Sequence, residues 1–580
     1  MIKLQMFRMR KIWPLFLLSL IIFFHLFLLY KTFVVDSAGN IRTASAGYGD
    51  IPFHMTQVSK FAFGQPLDFN EPIFDGERLR YPFFVNLLSG LLLRFDADWF
   101  FAMQAVAMTC VAGGIFLTFL FYKSILKSSF ASVVAIVIFL LGSGFGSLHV
   151  ISQSNASSVG EFVQYTVEAT TSTITRWDAV YPEQNIGWGA PLSLVFLHQR
   201  SFLLGFFMFS LFLFVFQKWR NNQSNFKLTI LLGLVVGLTP LSHYHSFVAM
   251  FVVLVLFAIS TFFQKGKEVF SNFFVLVLSA AIFVLPQIFY LVQGKNGILS
   301  SDNSFIQFRL GWMSAPTIGS VAYKAGGSFF ENVLAYFNFI FVNFGVVLPV
   351  FLLATFFFLK SFGKRARSDL VFWSICGLFL FLLVQIIRFQ PWDYDNNKIL
   401  VYFQYFAAVV IVAFFGEISK YRKRLGYFLL AAFVALAIHS GIIDQIPRLL
   451  TPVDNLPVIF NKDSVAIADY IRNANMPQNE KILTTSSHLN LVNSLAGRPA
   501  VVGYPGWLWT RGIDYSEREK NLKQFFKDPQ IYNNIPYLYN ARYALLDPSA
   551  VYDWDASLAV FDAQFVLLIR HGDFSLYKLY

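Results

Sequence analysis

Few residues in this chain are equipped for chemistry, and they come in short clusters. "GYGDIPFH", residues 47–54, sets Asp50 and His54 four positions apart, so a carboxylate and an imidazole share one helical face. A carboxylate so placed can take the proton of an attacking hydroxyl, with His54 beside it. "SHYHS" carries His243 and His245. "RFQPWDYDNNK" brackets Asp393, Asp395, Asn396 and Asn397 between Arg388 and Lys398. Arg200 and Arg309 are two more cations beside apolar stretches. A cation next to hydrocarbon is costly without a partner, so Arg388 and Lys398 pair with the two aspartates or with an anionic ligand. Glu161 and Glu168 stand seven apart, on one face if "SVGEFVQYTVEA" is helical, and Arg176 and Asp178 follow.

Each cluster also has a plainer reading. Asp50 can cap the helix "IPFHMTQVSKFAFG", with Pro52 in its first turn. His243 and His245 can hydrogen-bond neighbouring helices, and two ligands do not make a metal site. Glu161 and Glu168 can lie on a solvated face. "PWDYDNNK" can be a salt-bridged turn, although a plain turn has no need of so many polar and aromatic residues ending in a lysine.

The elements that must hold these residues are apolar. Of 580 residues, 56% are hydrophobic, 18% aromatic and only 13% charged, and 71 are Phe. A soluble domain carries nearly twice that charge. Apolar runs of about 20 residues recur, each able to cross the bilayer as a helix. The net charge of +12 lies in short basic loops between these runs, as the positive-inside rule requires, so nucleic acid is not the partner it suggests. Cys110 and Cys376 both lie in apolar segments, and no disulfide is expected.

With the basic clusters on the cytoplasmic side, eleven segments cross: 12–34, 99–122, 130–150, 199–217, 228–242, 246–263, 270–292, 335–360, 369–388, 398–416 and 425–443. The clusters are Lys123/Lys127, Lys218/Arg220/Lys227, Lys265/Lys267, Lys360/Lys364/Arg365/Arg367 and Lys420/Arg422/Lys423/Arg424. Segment 82–95 is only about 21 Å long as a helix and is expected to lie in the outer leaflet. The fifth and sixth segments form a pair broken at Pro240, either two spans or a re-entrant hairpin, since the first is short. The first segment, after Lys3, Arg8, Arg10 and Lys11, reads as a retained anchor. The N-terminus is then cytoplasmic, the C-terminus external, and loops 35–98, 151–198, 293–332 and 389–397 external. The unusual polar residues all fall on that external side.

Residues 444–580 change character. "SVAIADYIRNAN" reads as an amphipathic helix, and "KILTTSS", "RPAVVGYPG", "AQFVLLIR" and "FSLYKLY" as strands. The chain is therefore expected to be an all-α polytopic membrane domain, 1–443, followed by a small extracytoplasmic α/β domain, 444–580.

This order resembles the GT-C glycosyltransferases, the group of protein O-mannosyltransferases, aminoarabinose transferases and oligosaccharyltransferases. The resemblance rests on "GYGDIPFHMTQVSKFAFG" after the first span, on "YPFFVNLLSGLLLRF", and on a soluble domain after the last span. "HQRSFLLG", "LSHYHSF", "PWDYDNNK" and "GYPGWLWTRGIDYSERE" look like bacterial GT-C-like proteins of undefined substrate, which implies an inner membrane. The oligosaccharyltransferase WWD signature and a doubled acid at position 50 are missing. The resemblance implies a sugar donor on polyprenyl phosphate and an external glycan, lipid or protein acceptor. Asp50 would be the base, and attack would invert the anomeric centre. Lys398, Arg388, Arg309 and Arg200 would face the lipid phosphate. Some members use a divalent metal, Mg or Mn, and Asp50 with Glu161 and Glu168 would be its ligands here. The alternatives are a transporter or flippase of lipid-linked sugars and a non-catalytic scaffold.

Overall fold

The structure, a computed structural model, describes residues 2–44, 47–64, 67–171, 186–223, 225–265, 270–292, 306–312, 328–360, 368–390, 392–474, 476–477 and 480–580. The side chains of 2–11, 169–171, 262–265, 270–271, 291–292 and Asp393 are also outside the description. Arg176, Asp178, Lys267, Lys364, Arg365, Arg367 and most of loop 293–332 lie outside the described residues. The chain divides into two compact units. The first takes Met1–Leu29, Ala107–Val292 and Phe305–Thr451, and the second joins Tyr30–Val106 to Pro452–Tyr580.

The first unit is helical throughout. Among the described residues, seven helices of the chain are long and apolar enough to cross a membrane, and nine crossings result if two sharply bent helix pairs each count as one. The last two expected segments appear as Phe226–Ser242 and Ser368–Val384, 17 residues each and about 25 Å long. The chain is thus a polytopic integral membrane protein. Pro240 does not break its helix. Phe226–Ser242 runs through it, and the chain turns at His243, whose φ of −168° and ψ of 120° are extended.

The bent pairs are Ser129–Leu141 with Gly146–Ser154, at 59°, and Phe329–Phe344 with Val347–Leu359, at 95°. A break in an apolar surrounding frees backbone groups that must find partners. Here the two breaks pack on each other. A Cβ on Gly144 would meet Val342 O at 2.1 Å, and Phe145 N donates to that same carbonyl at 2.9 Å. Gln404 Nε2 donates to the carbonyls of Ile138, Phe139 and Gly142 at 3.2, 3.0 and 2.7 Å. Ser440 Oγ donates to Gly144 O at 2.7 Å. At the second break Gly345 has φ +52°, and Asn343 Oδ1 accepts from Gly187 N and Trp188 N at 2.7 and 2.9 Å.

The second unit mixes helices with two sheets. Lys481–Leu483 and Ala541–Leu546 pair in parallel, and Phe574–Lys578 and Val566–His571 continue that sheet antiparallel. A smaller sheet joins Val34–Val35 and Ile41–Arg42 to Val458–Phe460. The expected helix, at Lys462–Asn473, and three of the expected strands are present. "RPAVVGYPG" forms no ladder. It runs extended along residues 72–75, with Ala500 N on Pro72 O and Gly503 N on Ile73 O. The strand "ARYALL" had no alternation to reveal it, because its last three residues are all buried. Helix Asp50–Phe63 is almost wholly inside, buried from Ile51 to Ala62. Helix Phe84–Arg94 crosses it where Gly90 allows the backbones to touch: a Cβ there would meet Phe61 Cβ at 2.6 Å.

Gln404→Leu keeps the shape and deletes the donor that serves three carbonyls. It should cost about 1–3 kcal/mol, the usual penalty for stranding buried polar groups. A lowered melting temperature in detergent would show it, and an unchanged one would remove Gln404 from this role.

Candidate functional site

In the first unit the polar residues gather where three helix ends meet. Helix Asn397–Tyr421 begins after a single 3-10 turn, Asp393–Asn396. Lys398 sits in its first turn and reaches back to Asp395, with Nζ 2.9 Å from Oδ1 and only 13% of the lysine side chain exposed. One turn on, Tyr402 OH lies 2.5 Å from Ser246 Oγ, which lies 2.8 Å from His243 Nδ1. Ser246 N also donates to that Nδ1, so the ring nitrogen is an acceptor and the imidazole proton sits on Nε2. His243 thereby closes the start of helix Tyr244–Lys265 as a side-chain cap. His245 is 3% exposed, its ring is 5.2 Å from that of His243, and its Nε2 makes no hydrogen bond among the described residues. Both imidazoles lie within electrostatic reach of the Lys398 ammonium.

The third element is helix Arg200–Asn221. Its first residue, Arg200, is 4% exposed, and Phe202 packs on both His243 and Tyr402. Gly205 makes this approach possible: a Cβ there would meet His243 Cβ and Ser246 Oγ, each at 2.4 Å.

Arg309, from an expected loop, and Arg388, from the end of an expected span, meet on one two-stranded ribbon. Gln307 pairs with Arg388 and Phe308 with Ile387. Alternation then places Arg309 and Arg388 on the same face. Arg388 also donates to Gln307. Asn396 and Asn397 serve the backbone. Asn396 binds Phe389 N and Ile387 O, and Asn397 Nδ2 donates to Gly187 O at 3.0 Å.

In the second unit Asp50 opens helix Asp50–Phe63 and is half-buried. The cap position belongs to Gly49, which makes no side-chain bond, so Asp50 is not the cap. His54 is 1% exposed, and its Nδ1 lies 3.0 Å from Asn86 Nδ2, which also donates to Gln57 Oε1 at 2.8 Å. An amide nitrogen can only donate, so His54 Nδ1 accepts and its Nε2 carries the proton.

Glu161 and Glu168 share helix Val159–Thr171, as spaced. Glu161 accepts from Ser157 N and Oγ, bonds that hold its carboxyl below the usual range, and Glu168 accepts from Gln164. Among the described residues no three His, Cys, Asp or Glu side chains gather as metal ligands. These residues do not fit a divalent ion, and no step below uses one.

No family model and no curated protein matches the chain. Among solved structures it is similar to ArnT from Cupriavidus metallidurans bound to undecaprenyl phosphate, at 11% identity and TM-score 0.48, covering 98% of both chains. It is also similar to the archaeal oligosaccharyltransferase AglB from Archaeoglobus fulgidus in complex with an inhibitory peptide and a dolichol-phosphate, at 12% identity and TM-score 0.46, over 98% of this chain and 74% of that one. The Archaeoglobus enzyme has a further structure with Zn and sulfate, at TM-score 0.45 and 12% identity, over 96% and 73%. At these scores the likeness assigns no residue and no activity to this chain.

Sequence reasoning missed Gly205, Ser246 and Tyr402. A usable signal existed: Tyr402 lies one turn after Lys398, and Ser246 three residues after His243. Gly205→Ala should destabilise the protein by about 1–3 kcal/mol through overpacking. Gly416→Ala, where a Cβ has nothing within 4 Å, should not. Detergent melting curves of the pair check this.

Proposed function

We propose that the chain is a membrane glycosyltransferase. It would move a sugar from a polyprenyl-phosphate donor to an acceptor at the external face, with inversion. The observation that carries this reading is the Lys398 ammonium, held on Asp395 at the start of a buried helix with His245 Nε2 open beside it. A cation with an unpartnered imidazole nitrogen nearby, at the end of an apolar helix, suits a lipid phosphate. The motif resemblance described above supports the same assignment.

The chemistry needs little more. The Asp50 carboxylate accepts the proton of the acceptor hydroxyl while its oxygen attacks the anomeric carbon. The bond from that carbon to the phosphate oxygen breaks, and its electrons leave with the lipid phosphate. A cation bound to that phosphate offsets the charge that develops there. A flippase of lipid-linked sugars is the second reading, favoured by the two broken helix pairs. The backbone groups at the first break, however, are taken by Gln404, Ser440 and the Val342 carbonyl.

Asp50→Asn should fold normally and lose about 10²–10⁴-fold in turnover, the range for a general base. Near-normal product formation by this variant would remove Asp50 from the role of base. Lys398→Ala should weaken donor-lipid affinity about 10- to 100-fold, as loss of a charge-assisted bond does. If Lys398 only neutralises Asp395, the single variants would lose stability alike and the double variant would recover part of it, with donor affinity unchanged.

The topology is tested separately. Cys110 and Cys376 are buried, so a membrane-impermeant thiol reagent meets little background. Lys520→Cys should label in intact cells and Arg422→Cys should not. The reverse pattern would invert the topology and remove the external acceptor.

A further inference from the structure

Four aromatic rings form an unbroken row beside Asp50 in the second unit. The Tyr48 and His488 rings are 5.0 Å apart, His488 and Tyr504 5.5 Å, and Tyr504 and Trp507 5.2 Å. Tyr48 precedes Asp50 by two residues. The row is not core. Tyr48 and Trp507 rest against two different hydrophobic clusters, while His488 and Tyr504 belong to neither, and Tyr504 is 38% exposed. Their polar atoms are unspent: among the described residues the phenols of Tyr48 and Tyr504, the His488 imidazole and the Trp507 indole N–H make no side-chain hydrogen bond. Burial pushes the His488 imidazole down toward its neutral form, which keeps one donor and one acceptor.

The row is built, not incidental. Gly506 leaves room for the Tyr504 ring, whose Cε1 would lie 2.6 Å from a Cβ there. Trp507 packs on Phe53, at 5.2 Å, three residues along the helix from Asp50. Arg511 covers the other side of Phe53, 4.8 Å from its centroid, bonds Trp507 O at 3.0 Å and pairs with the fully buried Glu71 carboxylate. The rings are therefore held at a fixed place relative to the helix that Asp50 opens.

We propose that Tyr48, His488, Tyr504 and Trp507 form a saccharide subsite beside Asp50. A pyranose has C–H faces and a hydroxyl rim. Its faces suit the half-exposed rings of Tyr504 and Trp507, and its hydroxyls suit the five unspent polar atoms. The binding stands on these rings alone, while its place in a transfer reaction rests on the reading of Asp50 given above. The sugar is that of the donor or of a glycan acceptor.

Saturation-transfer NMR on the full chain in nanodiscs tests the subsite. The probes are methyl glycosides of glucose, galactose, mannose and N-acetylglucosamine, and an undecaprenyl-phosphate sugar. At least one should receive saturation at its ring C–H protons. Tyr504→Ala and Trp507→Ala should weaken binding about tenfold, and Trp507→Phe should retain most of it. A loss confined to the lipid-linked probe assigns the donor sugar, and a loss with free glycosides assigns the acceptor. Tyr504 lies outside both cores, so its variant serves if Trp507→Ala does not fold. Asp50→Asn should still bind sugar. If Asp50→Asn binds and turns over, the catalytic reading fails and the subsite stands. If no glycoside is saturated, or the ring variants bind as well as the parent, the subsite is overturned. Rings shielded by lipid instead would make them an interfacial anchor.

Discussion

A backbone polar group away from water must be hydrogen-bonded, and the first unit is arranged around that demand. Its two sharpest breaks free carbonyls and N–H groups in apolar surroundings, where each unsatisfied group costs several kcal/mol. The breaks lie against one another, and helix Asn397–Tyr421 supplies Gln404 to the first of them. This helix is the natural donor because 17 of its 25 residues are buried. A polar side chain on it can reach neighbours on several sides without meeting solvent.

The same helix carries the candidate phosphate site one and a half turns earlier. Its interior anchoring by Gln404 and its polar start at Lys398 and Tyr402 are consequences of one placement. Helix Arg200–Asn221 closes on that start only because Gly205 has no side chain. His243 is then held by Ser246, whose hydroxyl also meets Tyr402, and it serves as the cap of the next helix. The charge, the imidazoles and the helix end thus come from elements that also hold the bundle together, so the site costs little extra ordering of side chains.

Hydropathy made the spans legible. All eleven expected segments coincide with helices or bent pairs, because length and apolar composition alone decide that a segment can cross. The bends were not legible. Gly142, Gly144 and Gly345 are ordinary in an apolar run, and the break at His243 was misassigned to Pro240, since an extended residue between two helices leaves no strong mark. Asp50 and His54 stood out by type. What His54 contacts depends on Asn86, itself held by Gln57, which single-sequence reasoning cannot place. The pairing of Arg309 with Arg388 was hidden for a similar reason: two-residue strands carry no period.

The buried pair of Glu71 and Arg511 shows why the second unit positions its rings so firmly. Side-chain exposures of 0% and 8% mean that both charges are almost wholly desolvated. Such a pair rarely adds net stability, because the desolvation cost offsets the attraction. Breaking it, though, strands a buried charge, at roughly 3–5 kcal/mol. The pair therefore acts as a lock on one arrangement. Arg511 holds Trp507 by its carbonyl and Phe53 by its ring face, so the arrangement it locks is the row of rings against the helix that carries Asp50. A hydrophobic pair of the same volume would fill the space equally well. It would leave the loop at 504–512 free to slide along that helix, which the charge pair forbids.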